Sequence, residues 1–218
     1  MKVRTISILV SPQIGSISAE VSEPVNSKAV VTLAHGAGAG MQHPFMVALS
    51  EALANHQIAS LRYNFPYMEQ GKKRPDVPAV AHKAVAAAIQ TSHELFSKIP
   101  LYAAGKSFGG RMSSQYLSKD APEFVRGIIF YGFPLHPAGE PSVTRAEHLQ
   151  HIKIPMLFLQ GTRDALAEKE LVTCVCTNLP PATLEFFEGA DHSFKSGKKE
   201  FIPELADRTN QWITGLLK

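Results

Sequence analysis

Residues 101–111 read Leu-Tyr-Ala-Ala-Gly-Lys-Ser-Phe-Gly-Gly-Arg. Residues 101–104 form a short apolar run of buried-strand type, and residues 108–118 carry apolar side chains at helical spacing. Between them stands Gly105-Lys106-Ser107-Phe108-Gly109, a match to G-x-S-x-G. A five-residue pattern of this kind arises by chance, so its setting has to carry the reading. Directly after a strand and before a helix, such a serine is forced onto a sharp turn with its hydroxyl exposed. The glycines leave room where a Cβ would collide with the adjoining strand and helix. The plainer alternative for Ser107 is a helix N-cap, a role serine fills well.

The surroundings extend the same pattern. Residues 28–34 (KAVVTLA) form a nearly unalternated apolar strand, as expected where both faces of a parallel sheet are covered by helices. Further strands are expected at 58–62, 125–131, 154–159 and 183–187. Helices are expected at 44–55, 79–96, 108–118, 169–177 and 201–217, with a short one near 145–151 and a Gly-, Pro- and Lys-rich loop over 64–78. Residues 3–10 and 15–21 read as an antiparallel pair, so 1–27 is expected to add peripheral strands at the sheet edge. Strand and helix then alternate with no internal repeat, which predicts a single α/β domain over 1–218 with a mostly parallel central sheet flanked by helices.

A serine hydroxyl attacks poorly until a base takes its proton, and that base needs an orienting carboxylate. In this kind of fold those partners stand on loops after later strands, in the order Ser, Asp, His. Asp164 follows the strand at 154–159, and His192 follows the strand at 183–187. The expected roles are Ser107 as nucleophile, His192 as base then acid, and Asp164 as orienter. Each partner has a bland alternative: Asp164 as a helix cap, His192 as a surface histidine, and Asp191 as a rival orienter. An oxyanion hole needs two backbone N–H groups. Phe108 is expected to supply one, and Ala37 or else Gly38 the other, from the loop His35-Gly36-Ala37-Gly38-Ala39-Gly40. That loop matches neither G-x-G-x-x-G nor a Walker A motif, although Lys106-Ser107 mimics the end of the latter.

Composition narrows the classes. The 218 residues are 44% hydrophobic and 19% charged, too apolar for disorder and too poor in charge for a coiled coil. The 22 basic and 19 acidic residues leave a net charge of +3, which asks for no nucleic-acid partner. Cys174 and Cys176 make no disulfide framework and no metal site; two apart on a helix, their side chains diverge. No apolar run approaches membrane-spanning length, and residues 6–10 are too short for a signal-peptide core, so a soluble cytoplasmic protein is expected. Arg62 and Arg111 are candidate clamps for an anionic acyl group, or else internal partners of an acid such as Asp76. The aromatic loop 62–67 (RYNFPY) is expected to line the pocket, and His43 and His136 to stand near its rim.

The stretches HGAGAGMQHPFM (35–46), LRYNFPYMEQGKKRPD (61–76), GKSFGGR (105–111) and GTRD (161–164) resemble the α/β-hydrolase superfamily. In particular they are similar to its small dienelactone-hydrolase-like branch, and to a bacterial and vertebrate family that includes a small testis-expressed protein and a domain of a chromatin acetyltransferase complex subunit. The resemblance covers residues 28–218. It implies the α/β-hydrolase fold, and places that superfamily's nucleophile at Ser107, its acid at Asp164, its histidine at His192, and its oxyanion donors at Phe108 and at Ala37 or Gly38. Dienelactone hydrolases proper carry cysteine as nucleophile where Ser107 stands here, so their lactone substrate is not implied. The 22 residues 132–153 leave no room for a large lid.

The expected activity is hydrolysis of a small or medium acyl ester through an acyl-enzyme, with no cofactor. The alternatives are a thioesterase, lactonase or acyltransferase built on the same triad, or a binding domain without turnover. A monomer or homodimer acting on a small-molecule substrate completes the expectation.

Overall fold

The computed structural model describes residues 1–179 and 181–217. Strands β1 (Lys2–Ser11) and β2 (Gly15–Glu23) form an antiparallel hairpin with Ile8 opposite Ile17. Six further strands follow: β3 (Ala29–Ala34), β4 (Ile58–Tyr63), β5 (Leu101–Lys106), β6 (Val125–Tyr131), β7 (Met156–Gly161) and β8 (Ala182–Phe187). Together they make one sheet in the order β1-β2-β4-β3-β5-β6-β7-β8. β2 meets β4 antiparallel, and every pairing from β4 across to β8 is parallel.

The apolar runs lack alternation because both faces of the sheet are buried. In β3, Val30 and Ala34 enter one core while Val31 and Leu33 enter the other. β6 divides the same way, with Ile128 and Phe130 on one side and Ile129 and Tyr131 on the other. The first core is closed by helices α3 (Pro78–Leu95), α4 (Phe108–Leu117) and α5 (Lys169–Thr177), through residues such as Val85, Met112 and Val172. The second is closed by α1 (Pro44–Asn55) and α6 (Ile202–Leu216), through Leu49, Leu53, Leu205 and Ile213. Each fully buried Leu or Ile contributes roughly 2 kcal/mol of hydrophobic free energy. The strand ends are therefore held rigidly, and that rigidity positions the loops after β3, β5, β7 and β8.

Three local readings are corrected. The strand expected from Ile154 begins at Met156, because Pro155 has no N–H to give a ladder; its carbonyl accepts from Ile128 N at 2.9 Å. The loop 64–78 contains a one-turn helix, α2 (Pro66–Glu69), opened by a proline at its first position and too short to show a period. A small hairpin, β9 (Lys195–Ser196) and β10 (Lys199–Glu200), stands between His192 and α6. The connection from β6 to β7 carries a 3₁₀ helix, Thr144–His151. Among the described residues no helix is long and apolar enough to cross a membrane.

Candidate active site

The turn after β5 has the strain that the motif demands. Ser107 sits at φ 51°, ψ −116°, a left-handed conformation costly for a residue with a Cβ and retained only where the surroundings enforce it. A Cβ on Gly105 would lie 2.2 Å from the Gly110 nitrogen, and one on Gly109 would lie 2.5 Å from the Ala34 carbonyl oxygen. Both glycines are thus required by close approach of α4 to the ends of β5 and β3. The Ser107 side chain does not cap α4. Its Oγ lies instead 2.8 Å from His192 Nε2.

His192 Nδ1 lies 2.7 Å from Asp164 Oδ2. With its Nδ1–H donated to the carboxylate, His192 turns the Nε2 lone pair toward the Ser107 hydroxyl. Asp164 is 5% exposed and its other oxygen accepts from Leu166 N at 2.8 Å. It is no helix cap, since α5 starts at Lys169. The rival Asp191 is engaged elsewhere: its Oδ1 accepts from Ser193 N at 2.8 Å and Lys195 N at 2.9 Å, which shapes the turn carrying His192. The sequence reading passed over Gln160, a fully buried residue whose Nε2 donates to Asp164 Oδ2 at 2.5 Å while its Oε1 accepts from Phe133 N at 2.9 Å. The signal was present, since Gln160 is the one polar side chain in the strand MLFLQG.

Of the expected oxyanion donors, the N–H groups of Phe108 and Ala37 have no hydrogen-bond partner among the described residues. The Gly38 N–H is taken, because it donates to the Tyr67 hydroxyl at 2.9 Å. Gly38 is thereby corrected from candidate donor to anchor of the loop. His35, wholly buried, donates from Nδ1 to the Gly36 carbonyl at 2.7 Å and accepts from Phe65 N at Nε2, 3.0 Å. Burial pushes its pKa down to about 4, so it is neutral near pH 7 and fits both bonds. Met41 N donates to Asn64 Oδ1 at 2.9 Å, and Tyr67 N to Asp76 Oδ2 at 2.9 Å.

The segment 62–67 therefore does not line the pocket as expected. Tyr63, Phe65 and Tyr67 are buried beneath the loop 35–40, with Phe65 and Tyr67 edge-on to the Phe108 ring. Apolar rings with buried hydrogen bonds are better placed as a brace than as a wetted wall. Arg62 is likewise corrected. It is 2% exposed, paired with Glu20 and donating to the Met41 carbonyl at 2.7 Å, so it is an internal strut that cannot clamp substrate. Its acid is Glu20 and not Asp76. Arg111 is half-buried and absent from the cleft walls; His136, fully buried, is absent from them too, and its Nε2 accepts from Glu168 N at 3.2 Å. His43 does line the cleft, and its Nδ1 caps α1 by accepting from Phe45 N at 3.2 Å.

Ser107 and His192 open on a cleft of about 740 Å³ walled by Ala37, Phe45, Met46, Leu166 and Ile202, with Lys195 and Glu200 among its polar residues. Among the described residues no group of three or more His, Cys, Asp or Glu is placed to hold a metal ion. The two cysteines diverge on α5, Cys174 exposed and Cys176 buried, and burial pushes the Cys176 thiol up to about 12.

The chain resembles several solved structures over nearly its whole length. A dienelactone hydrolase from Anabaena variabilis superposes with a TM-score of 0.78 at 19% identity, covering 98% of this chain and 97% of that one. Est1E from Butyrivibrio proteoclasticus, solved with ferulic acid bound, gives 0.79 at 14% identity, covering 97% and 99%. A serine hydrolase without lid from Xanthomonas campestris gives 0.70 at 18% identity, covering 100% and 94%. At these identities the likeness shows a shared fold. The sequence itself matches the alpha/beta hydrolase domain family over residues 27–213, and with the strained turn, the sheet order and the Ser-His-Asp row this places the chain in that family.

Proposed function

We propose that the protein is a serine hydrolase that cleaves carboxylic esters of small to medium acyl groups. The observation that carries this reading is the continuous row Ser107 Oγ, His192 Nε2, His192 Nδ1 and Asp164 Oδ2, with contacts of 2.8 and 2.7 Å, opening on an apolar cleft. The esterase and dienelactone hydrolase activities named for the structural neighbours are consistent with it.

In the proposed cycle, His192 Nε2 takes the hydroxyl proton as Ser107 Oγ attacks the ester carbonyl carbon. The carbonyl electron pair moves onto oxygen, where the N–H groups of Phe108 and Ala37 stabilise the charge. Asp164 stabilises the imidazolium without accepting its proton. Collapse of the tetrahedral species breaks the bond to the alkoxy oxygen, which receives the proton from His192 and leaves as alcohol. Water, deprotonated by His192 Nε2, then attacks the acyl carbon; the bond to Ser107 Oγ breaks, Oγ takes the proton from His192, and the carboxylic acid leaves. The apolar walls favour a hydrocarbon acyl chain, and with Arg62 buried and Arg111 off the cleft, the case for an anionic acyl group loses both of its arginines.

Intact-mass analysis after treatment with a fluorophosphonate ester tests the reading. The wild type is expected to gain one phosphonyl adduct and S107A none, with ester turnover in S107A lower by at least about 10⁴-fold. A folded wild type that stays unlabelled overturns the hydrolase and leaves a binding domain.

A further inference from the structure

Lys106 is the side chain of the motif that the proposed cycle does not use. It ends β5 immediately before Ser107, and its Nζ donates to the backbone carbonyl of His192 at 2.7 Å. The ammonium lies between two rings, 5.9 Å from the centroid of Phe45 and 5.7 Å from that of Phe194. Gly132 keeps the seat open. A Cβ there would stand 3.3 Å from Lys106 Nζ and 3.5 Å from the His192 ring, and its φ of +72° disfavours any other residue. The dipeptide Lys106-Ser107 thus grips His192 twice, at the imidazole through Ser107 Oγ and at the main chain through Lys106 Nζ. The His192 turn is braced from within by Asp191, and Phe194 in it holds a left-handed φ of 58°. Lys106 ties that turn to β5.

We propose that Lys106 is a positioning residue, which fixes the His192 turn to the nucleophile strand and so keeps Nε2 in register with Ser107 Oγ. The inference rests on the reading of Ser107 and His192 as nucleophile and base. Three N–H donors and a full charge suit the seat: one donor meets the carbonyl, and the ring faces attract the cation. The same enclosure pushes the Lys106 pKa down to about 8, burial outweighing the opposing pull of Asp164 and Asp191. The charged and titratable groups around it are Asp164 after β7, Asp191 and His192 after β8, and His43, Lys195 and Glu200 on the cleft walls. As the ammonium becomes an amine above pH 8, the charge-assisted bond and the cation–ring attraction weaken together.

The test uses K106M, which keeps the stem between the rings and removes donor and charge. Fluorophosphonate labelling and ester kcat/KM are expected to fall 10- to 100-fold in K106M. The wild-type rate is expected to decline above pH about 8, and that limb to be missing from the variant. Alkylating K106C/C174S with 2-bromoethylamine rebuilds an ammonium of the same reach and is expected to restore the rate, whereas iodoacetamide is not.

A second readout needs no turnover: the downfield proton resonance of His192 Nδ1–H bonded to Asp164. It is expected in the wild type at pH 7, lost in K106M, and lost in the wild type as pH passes 8 should the variant fail to fold. Wild-type rates with an unchanged pH profile in K106M, or an unchanged resonance, overturn the proposal. If the wild type goes unlabelled while the resonance responds to Lys106, the hydrolase reading fails and the positioning role stands.

Discussion

The loop at 35–40, which carries Ala37, and the segment at 188–195, which carries His192, face each other across Ser107 and are fastened by different chemistry. The first is held directly by neutral groups under cover: the Tyr67 hydroxyl on Gly38, a neutral His35 between Gly36 and Phe65, and Asn64 on Met41. The charged Arg62 and Asp76 stand behind them, on the Met41 carbonyl and Tyr67 N. The second is held largely by charged groups: Lys106 on the His192 carbonyl, Asp191 on two backbone N–H groups, and an exposed pair between Lys195 and Glu200. An oxyanion hole works by being pre-organised, which buried neutral bonds achieve without responding to pH. In the proposed cycle the histidine changes charge, and fixed charges nearby stabilise or oppose that change directly. One wall should therefore be indifferent to pH, and the other sensitive to it.

The largest expected effect breaks the charged wall at its centre. D164N presents an amide in place of the carboxylate to His192 Nδ1 and favours the tautomer with its proton on Nε2, so kcat should drop about 10⁴-fold while binding of substrate changes little. Steady-state kinetics on a simple ester would check this, and a loss below tenfold would move the orienting role away from Asp164. A smaller effect is expected on the neutral wall. Y67F strands the Gly38 N–H and should lower kcat about tenfold, with a cost of about 1–3 kcal/mol in unfolding free energy. The shape of its pH–rate profile should match that of the wild type, and a shifted limb would erase the contrast between the walls.

The last effect leaves the rate aside and concerns stability alone. Lys106 binds its proton less tightly folded, at about 8, than unfolded, near the ordinary 10.5. Between those values the unfolded chain carries more protons, so the stability of the wild type relative to K106M should rise with pH from about 8 to 10.5 and be flat below 8. Urea titrations of the two proteins across that range measure it. Activity would then fall over the same interval in which stability climbs, which separates loss of positioning from unfolding.

Much of this was legible in the chain because the cues were local. The unalternated runs at 28–34 and 125–131 require burial on two faces, and Gly105 and Gly109 around Ser107 require close backbone approach. Ser107, Asp164 and His192 come together because they follow β5, β7 and β8, and parallel strands deliver their following loops to one end of the sheet. The aromatic segment misled, and the sequence left Arg62 open between clamp and internal partner, for a physical reason. Arg62 stands at the end of β4 and Tyr67 just after it, at the same end of the parallel sheet as the loop after β3. Yet whether a side chain turns into the cleft or under its floor depends on partners far away, and Glu20 claimed Arg62 from 42 residues upstream.

What the sequence by itself determined is the set of elements, their parallel stacking and the candidate side chains Ser107, Asp164 and His192, because hydrophobic period, glycine placement and motif order are carried by neighbours in the chain. The tertiary structure alone decided which carboxylate meets His192, which loop N–H remains free, and that Lys106 turns back onto the residue its neighbour touches. These depend on distances between segments more than 20 residues apart, 86 in the case of Lys106 and His192, and the packing of two cores on one twisted sheet sets them.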